Sequence, residues 1–181
     1  MKTTQILIAG FGGQGILFSG KFLAYKGLTE ELQVSWLPSY GPEMRGGTAN
    51  CNVILSDDPV GSPIITAPDV LIAMNLPSLQ KYVNSVVAGG QIYVDSSLID
   101  TKVERDDVQV FYIPATQMAK DAGISTLANM IIIGHLLENH PELSFDGVDA
   151  VVDSLVPPKK AALKELNIKA LALGKNYNAK I

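Results

Sequence analysis

The stretch Gln5-Ile6-Leu7-Ile8-Ala9-Gly10-Phe11-Gly12-Gly13-Gln14-Gly15 reads as a strand running into a glycine-rich turn. Gln5 to Ala9 is a compact β-prone run. Gly10 to Gly15 fits G-x-G-x-x-G with one extra glycine. From Gly13 to Lys26 the apolar residues Ile16, Leu17, Phe18, Phe22, Leu23 and Tyr25 recur at helical spacing. Strand, glycine loop and helix, in that order, are the context in which such a loop holds an anion. Glycines let the backbone turn tightly and approach a ligand with no Cβ in the way. The free N–H groups at the helix start then face the ligand, aided by the helix dipole.

Outward from this unit the pattern keeps alternating. Gln33–Leu37 reads as a second strand stopped by Pro38, and Thr48–Leu55 as a third. Val70–Met74 is a continuous apolar run of the kind buried on both faces. Pro77 stands where a first helical turn begins, with Leu79, Tyr82, Val83 and Val86 behind it, and Gly89-Gly90 ends that helix. Gln91–Val94 and Val108–Ile113 are further strands. Four helices follow: Ala115–Asp121, Leu127–Glu138, Phe145–Val156 and Lys159–Leu173. The second of these is apolar nearly all round, which predicts burial against the sheet or a partner. Short alternating units predict an α/β, Rossmann-like three-layer fold with a mainly parallel sheet and a helical C-terminal part. No helix separates the second and third strands, which leaves room for an antiparallel edge pair. Residues 1–181 read as a single domain.

Hydrophobic residues make up 47% of the 181, enough for a buried core, and the net charge is -4. No basic stripe forms, which argues against nucleic acid as partner. Cys51 is the only cysteine, so an internal disulfide, a CxxC pair and a four-cysteine cluster site are excluded. The apolar runs are too short for a signal peptide or a bilayer span, and the expectation is a cytoplasmic protein with no membrane partner.

A second loop, Ser39-Tyr40-Gly41-Pro42-Glu43-Met44-Arg45-Gly46-Gly47, follows the second strand. That places it near the carboxyl ends of the strands, where open α/β folds bind ligands. Arg45 can grip a phosphate or carboxylate through two N–H groups, and Glu43 can pair with Arg45 or orient a partner's group. Two blander readings stand beside these: a local Glu43–Arg45 ion pair, and glycines that serve only close strand–helix packing. A dinucleotide fold carries an acidic residue at the end of its second strand. Here that strand ends Trp36-Leu37-Pro38-Ser39, which counts against NAD.

GFGGQGI followed by SYGPEMRGGTANCNV closely resembles the gamma subunits, and equivalent gamma domains, of 2-oxoacid:ferredoxin oxidoreductases, the pyruvate, 2-oxoglutarate and ketoisovalerate enzymes. The resemblance runs from Lys2 to about Leu173. It implies a subunit that is inactive alone and contributes no catalytic residue, metal ligand or cofactor of its own. Thiamine diphosphate and the iron–sulfur clusters are expected on alpha, beta and delta subunits, with ferredoxin as the electron acceptor of the complex. It further implies that this chain positions coenzyme A and scaffolds the thiamine subunits, through Gly12, Gly13, Gln14, Gly15, Ser39, Tyr40, Glu43 and Arg45. An independent nucleotide-binding module and an indolepyruvate oxidoreductase subunit are the alternatives.

Among the remaining polar residues, Asn75 is expected to cap the helix that follows it, and Asp95 to serve a turn or cap. His135 is expected to be a satisfied core or interface histidine, and Cys51 a buried small hydrophobe.

Overall fold

The computed structural model describes residues 2–40 and 48–178. β1 (Thr3–Phe11) leads through the glycine loop into α1 (Ile16–Thr29). β2 (Gln33–Tyr40), β3 (Thr48–Ser56) and β4 (Val70–Ala73) follow, then α2 (Leu76–Tyr82), β5 (Gln91–Asp95) and β6 (Gln109–Ile113). The C-terminal part is helical: α3 (Ala115–Asp121), α4 (Ala128–Asn139), α5 (Val148–Leu155) and α6 (Ala161–Asn176). The six strands form one sheet in the order β2-β3-β1-β4-β5-β6. β1, β4, β5 and β6 are parallel, while β3 runs against both β1 and β2. The expected antiparallel edge is therefore present, made by β3 lying between β2 and β1.

Alternation along each strand divides the core in two. Ile6 and Ile8, Val70 and Ile72, Tyr93, Phe111 and Ile113 point to the face covered by α1 and α3–α6. Leu7, Leu71, Ala73, Ile92 and Val94 point to the opposite face, where Leu79 of α2 and Ile99 meet them. These are the three layers that the sequence predicts. Each fully buried isoleucine or leucine contributes about 1.5–3 kcal/mol of transfer free energy.

Several boundaries differ from expectation: α2 ends at Tyr82 and gives way to a 3-10 turn over Val83–Ser85, well before Gly89-Gly90, and α5 begins at Val148 instead of Phe145. Pro38 does not stop β2: pairing continues to Tyr40, with Pro38 opposite Cys51. β2 is the outermost strand, and an edge strand tolerates a residue that cannot donate. α1 begins at Ile16 instead of Gly13, because Gly13 (φ 96°) and Gly15 (φ 75°) take left-handed conformations that no helix continues through.

α4 is buried from Ala128 to Leu137 without interruption. It packs on α6 backbone to backbone. A Cβ on Gly134 would collide with the Leu171 carbonyl, and one on Gly174 with the Ile131 carbonyl. His135 lies in this interface, 2% exposed, with Nδ1 at 3.1 Å from the Gly174 carbonyl and its ring edge-on to Phe111 and Tyr177. It is the buried core histidine that was expected.

Candidate functional site: the glycine-loop rim

The loop from Phe11 to Ile16 is braced at both ends. Gln14 folds back so that its Oε1 accepts from the Phe11 N–H at 2.6 Å, while its Nε2 donates to the Met74 carbonyl at 2.9 Å. One side-chain amide thus ties the end of β1 to the end of β4. A Cβ on Gly10 would press on Gln14 Oε1 at 2.6 Å, so the glycine makes room for the brace. At the other end, Asn129 in the first turn of α4 donates to the Gly15 carbonyl at 3.1 Å and to Ser19 Oγ at 3.0 Å. A Cβ on Gly15 would approach Asn129 Nδ2 to 2.5 Å. Gly15 caps α1 without a side-chain hydrogen bond. The first-turn N–H groups are therefore left for water or a ligand.

Sequence reasoning missed Asn129. Its one signal was an amide at the start of a helix apolar nearly all round, and nothing local tied it to a loop 114 residues earlier.

The described residues that flank the second segment lie at the rim of the glycine loop. Phe11 is opposite Thr48, and Tyr40 opposite Ala49. The chain therefore leaves β2 and enters β3 beside the glycine loop, at the carboxyl ends of β1, β4 and β5. Ser39 is exposed there, paired with Asn50. Glu43 and Arg45 lie outside the described residues, as does the rest of 41–47.

A cavity of about 300 Å³ opens against the loop, lined by Phe11, Gly12, Gly13, Gly15, Phe18 and Ala49. A second, of about 340 Å³, shares Gly13, Gly15 and Phe18 and extends toward α4 and α6. A larger one of about 540 Å³ lies on the α2 side of the sheet. One of its charged residues, Arg105, is already used. The guanidinium binds both Asp107 oxygens, at 2.8 and 2.6 Å, and the carbonyls of Val83 and Val86. The cavities on the glycine-loop side are lined by the loop glycines and the first turn of α1, whose N–H groups have no side-chain cap.

The other candidates resolve as structural. Asn75 Oδ1 accepts from Ser78 N at 2.8 Å and caps α2. Asp95 is fully buried. Its carboxylate accepts from Thr116 Oγ1 at 2.6 Å and from the backbone N–H groups of Thr116 and Ser97. Cys51 is buried, with Sγ donating to the Ile16 carbonyl at 3.4 Å, and burial pushes its thiol up to about 12. Among the described residues no group of three His, Cys, Asp or Glu side chains could hold a metal ion, and no helix is long and apolar enough to cross a membrane.

The sheet order also weighs against NAD. In a dinucleotide fold the strand beside β1 presents the ribose-binding acid at this rim. Here that position belongs to β3, which arrives at the rim with Thr48.

The sequence pattern of the pyruvate ferredoxin/flavodoxin oxidoreductase family matches residues 5–177. The chain belongs to this family. It is 32% identical over 99% of its length to the ketoisovalerate oxidoreductase subunit VorA of Methanothermobacter marburgensis, of which it spans only 37%. The gamma subunit of a keto/oxoacid ferredoxin oxidoreductase from Geobacter sulfurreducens is similar throughout. It superposes with a TM-score of 0.78 at 31% identity, over 94% of this chain and 95% of that one. The 2-oxoglutarate:ferredoxin oxidoreductase of Magnetococcus marinus, solved with 2-oxoglutarate, coenzyme A and succinyl-CoA bound, contains the same fold as about a third of its chain. There the TM-score is 0.85, identity 25%, and coverage 99% of this chain against 32% of that one. The expected gamma-type membership is borne out, and the α/β fold with it.

Proposed function

We propose that this chain is the gamma-type subunit of a cytoplasmic 2-oxoacid:ferredoxin oxidoreductase and that its glycine-loop rim holds coenzyme A. The supporting observation is the loop itself. It is pinned by Gln14 on one side and Asn129 on the other, and its glycines and the first turn of α1 line a cavity at the carboxyl ends of the strands. A phosphate of coenzyme A suits Gly12, Gly13, Gly15 and the first turn of α1, because the anion meets N–H groups and the positive end of the helix. Gln14, with both amide ends engaged, acts by shaping the loop. Ser39, Tyr40, Glu43 and Arg45 belong to the same reading, with Arg45 as the second anion contact.

In this reading alpha, beta and delta partners carry thiamine diphosphate and the iron–sulfur clusters, which supply decarboxylation and electron transfer to ferredoxin. This chain supplies position. Holding a thiol beside the acyl group it must accept is worth up to about 7–11 kcal/mol in effective molarity. Choice among 2-oxoacids then rests with the thiamine-binding subunits.

Titrating the assembled complex with coenzyme A and with NAD by calorimetry tests the reading. Binding of coenzyme A is expected. Binding of NAD without coenzyme A would sink it. Arg45→Ala is expected to raise the KM for coenzyme A while the complex stays assembled. Weakened assembly at an unchanged KM would assign that loop to subunit contact instead.

A further inference from the structure

Asp146 and Gly147 are the only aspartate or asparagine in the sequence followed directly by glycine. They occupy the turn that leads into α5, where Gly147 is the cap residue with φ 74°. Both are exposed. The bonds around the pair leave two groups out. The Asp146 N–H donates to Ser144 Oγ at 3.0 Å, and the Gly147 carbonyl accepts from the Val151 N–H at 3.3 Å. Neither the Asp146 carboxyl nor the Gly147 N–H has a partner among the described residues. A Cβ built on Gly147 would meet nothing within 4 Å, so the space around that residue is open.

Those two groups can react with each other. The Gly147 nitrogen forms a bond to Cγ of Asp146 and the Cγ–OH bond breaks. The hydroxyl leaves as water with the amide proton, and a succinimide ring closes. Water then opens the ring. Cleavage between nitrogen and Cγ restores aspartate. Cleavage between nitrogen and the main-chain carbonyl carbon leaves Gly147 joined through Cγ, with a free carboxylate on the old main-chain carbon. That product is isoaspartate. One water leaves and one returns, so no co-reactant is needed. Other positions are closed to this step. Asp58 precedes Pro59, which has no N–H to lose. Asp95 precedes the small Ser96, but it is fully buried and its carboxylate is held by Thr116 and the Ser97 N–H. Gly147 carries no side chain to shield its nitrogen. We infer that Asp146–Gly147 is the site at which the folded chain converts to isoaspartate. The stray carboxylate it creates is a substrate for a carboxyl methyltransferase, which moves a methyl group onto it from S-adenosylmethionine. The change also reaches the core. Val148, Val151 and Val152 of α5 are buried, and isoaspartate adds one CH2 to the backbone just before them.

The full chain, kept folded at pH 7 and 37 °C for several weeks, tests the inference. Electron-transfer fragmentation of its peptides separates aspartate from isoaspartate, and methyl uptake catalysed by an isoaspartyl methyltransferase counts the product independently. Position 146 should hold more isoaspartate than all other positions together. Asp146→Glu, which would have to close a larger ring, should remove it. Asp146→Asn, which loses ammonia more readily than the acid loses water, should form it faster. The aged protein should melt below Asp146→Glu aged in the same way. Absence of isoaspartate at 146 from the folded chain, while a sample kept in urea forms it, would show that the turn holds the two groups apart and would overturn the inference. A larger yield at another position, or none in either sample, would overturn it as well.

Discussion

Asn129 donates to the carbonyl of Gly15 across 114 residues of sequence, at 3.1 Å. The bond makes the first turn of α4 part of the glycine loop. Asn129→Ala leaves the Gly15 carbonyl and the Ser19 hydroxyl without that partner in a buried setting. The expected cost is about 1–3 kcal/mol, read as a shift in the urea midpoint. An unchanged midpoint would show that the loop holds its shape without α4.

Gln14 gives a sharper test because its two ends do opposite things. Gln14→Ala removes both hydrogen bonds, at about 1–2 kcal/mol. Gln14→Glu keeps the acceptor for Phe11 N–H but sets a carboxylate oxygen against the Met74 carbonyl. It should be the worse variant at pH 7. Acidification should narrow the gap as the carboxyl gains a proton to donate. Denaturant curves of both variants at pH 7 and pH 5 decide; equal stability at pH 7 would contradict the brace.

The α4–α6 crossing has no room for a methyl group. Gly174→Ala drives a Cβ into the Ile131 carbonyl, and backbone on a packed helix yields poorly. The expected loss is about 3 kcal/mol or more, a fall of several degrees in Tm for a chain of this size. Gly61, where a Cβ meets nothing, is the control: Gly61→Ala should leave Tm within a degree or so.

Cys51 should be inert in the native protein. With its thiol pushed up to about 12, only about one molecule in ten thousand is thiolate at pH 8, and burial blocks access as well. Iodoacetamide at pH 8, followed by mass spectrometry, should label it only after denaturant is added. Rapid native labelling would mean that the α1–β3 packing opens readily.

His135 and His140 make stability depend on pH near neutrality. Burial holds both below the ordinary imidazole value of 6.5, only partly offset at His135 by the Gly174 carbonyl. The unfolded chain therefore binds protons first. The stabilisation is complete above about pH 6.5 and is lost as pH falls toward the depressed folded values. Melting curves from pH 8 to pH 5 should show Tm falling below about 6.5, and His135→Gln should flatten part of that slope. A Tm level across the range would contradict the assignment.

Much of this protein is local. The β1–glycine loop–α1 unit, the buried run Val70–Ala73, the Asn75 cap and the all-apolar α4 were legible because each depends on residues within a turn or two. Periodicity and capping act at that range. The candidate rim was legible for the same reason, as glycines after a strand.

What only the tertiary structure decided is which sequence-remote groups meet. The antiparallel β3 lies between β2 and β1, Asn129 reaches Gly15, Gln14 finds Met74, and Asn129 and Asn167 come to border one cavity. No pattern along the chain announces such pairings. A side-chain amide has the same propensities whether its partner is solvent or a backbone carbonyl a hundred residues away, and only the packing of the layers sets which of the two it meets.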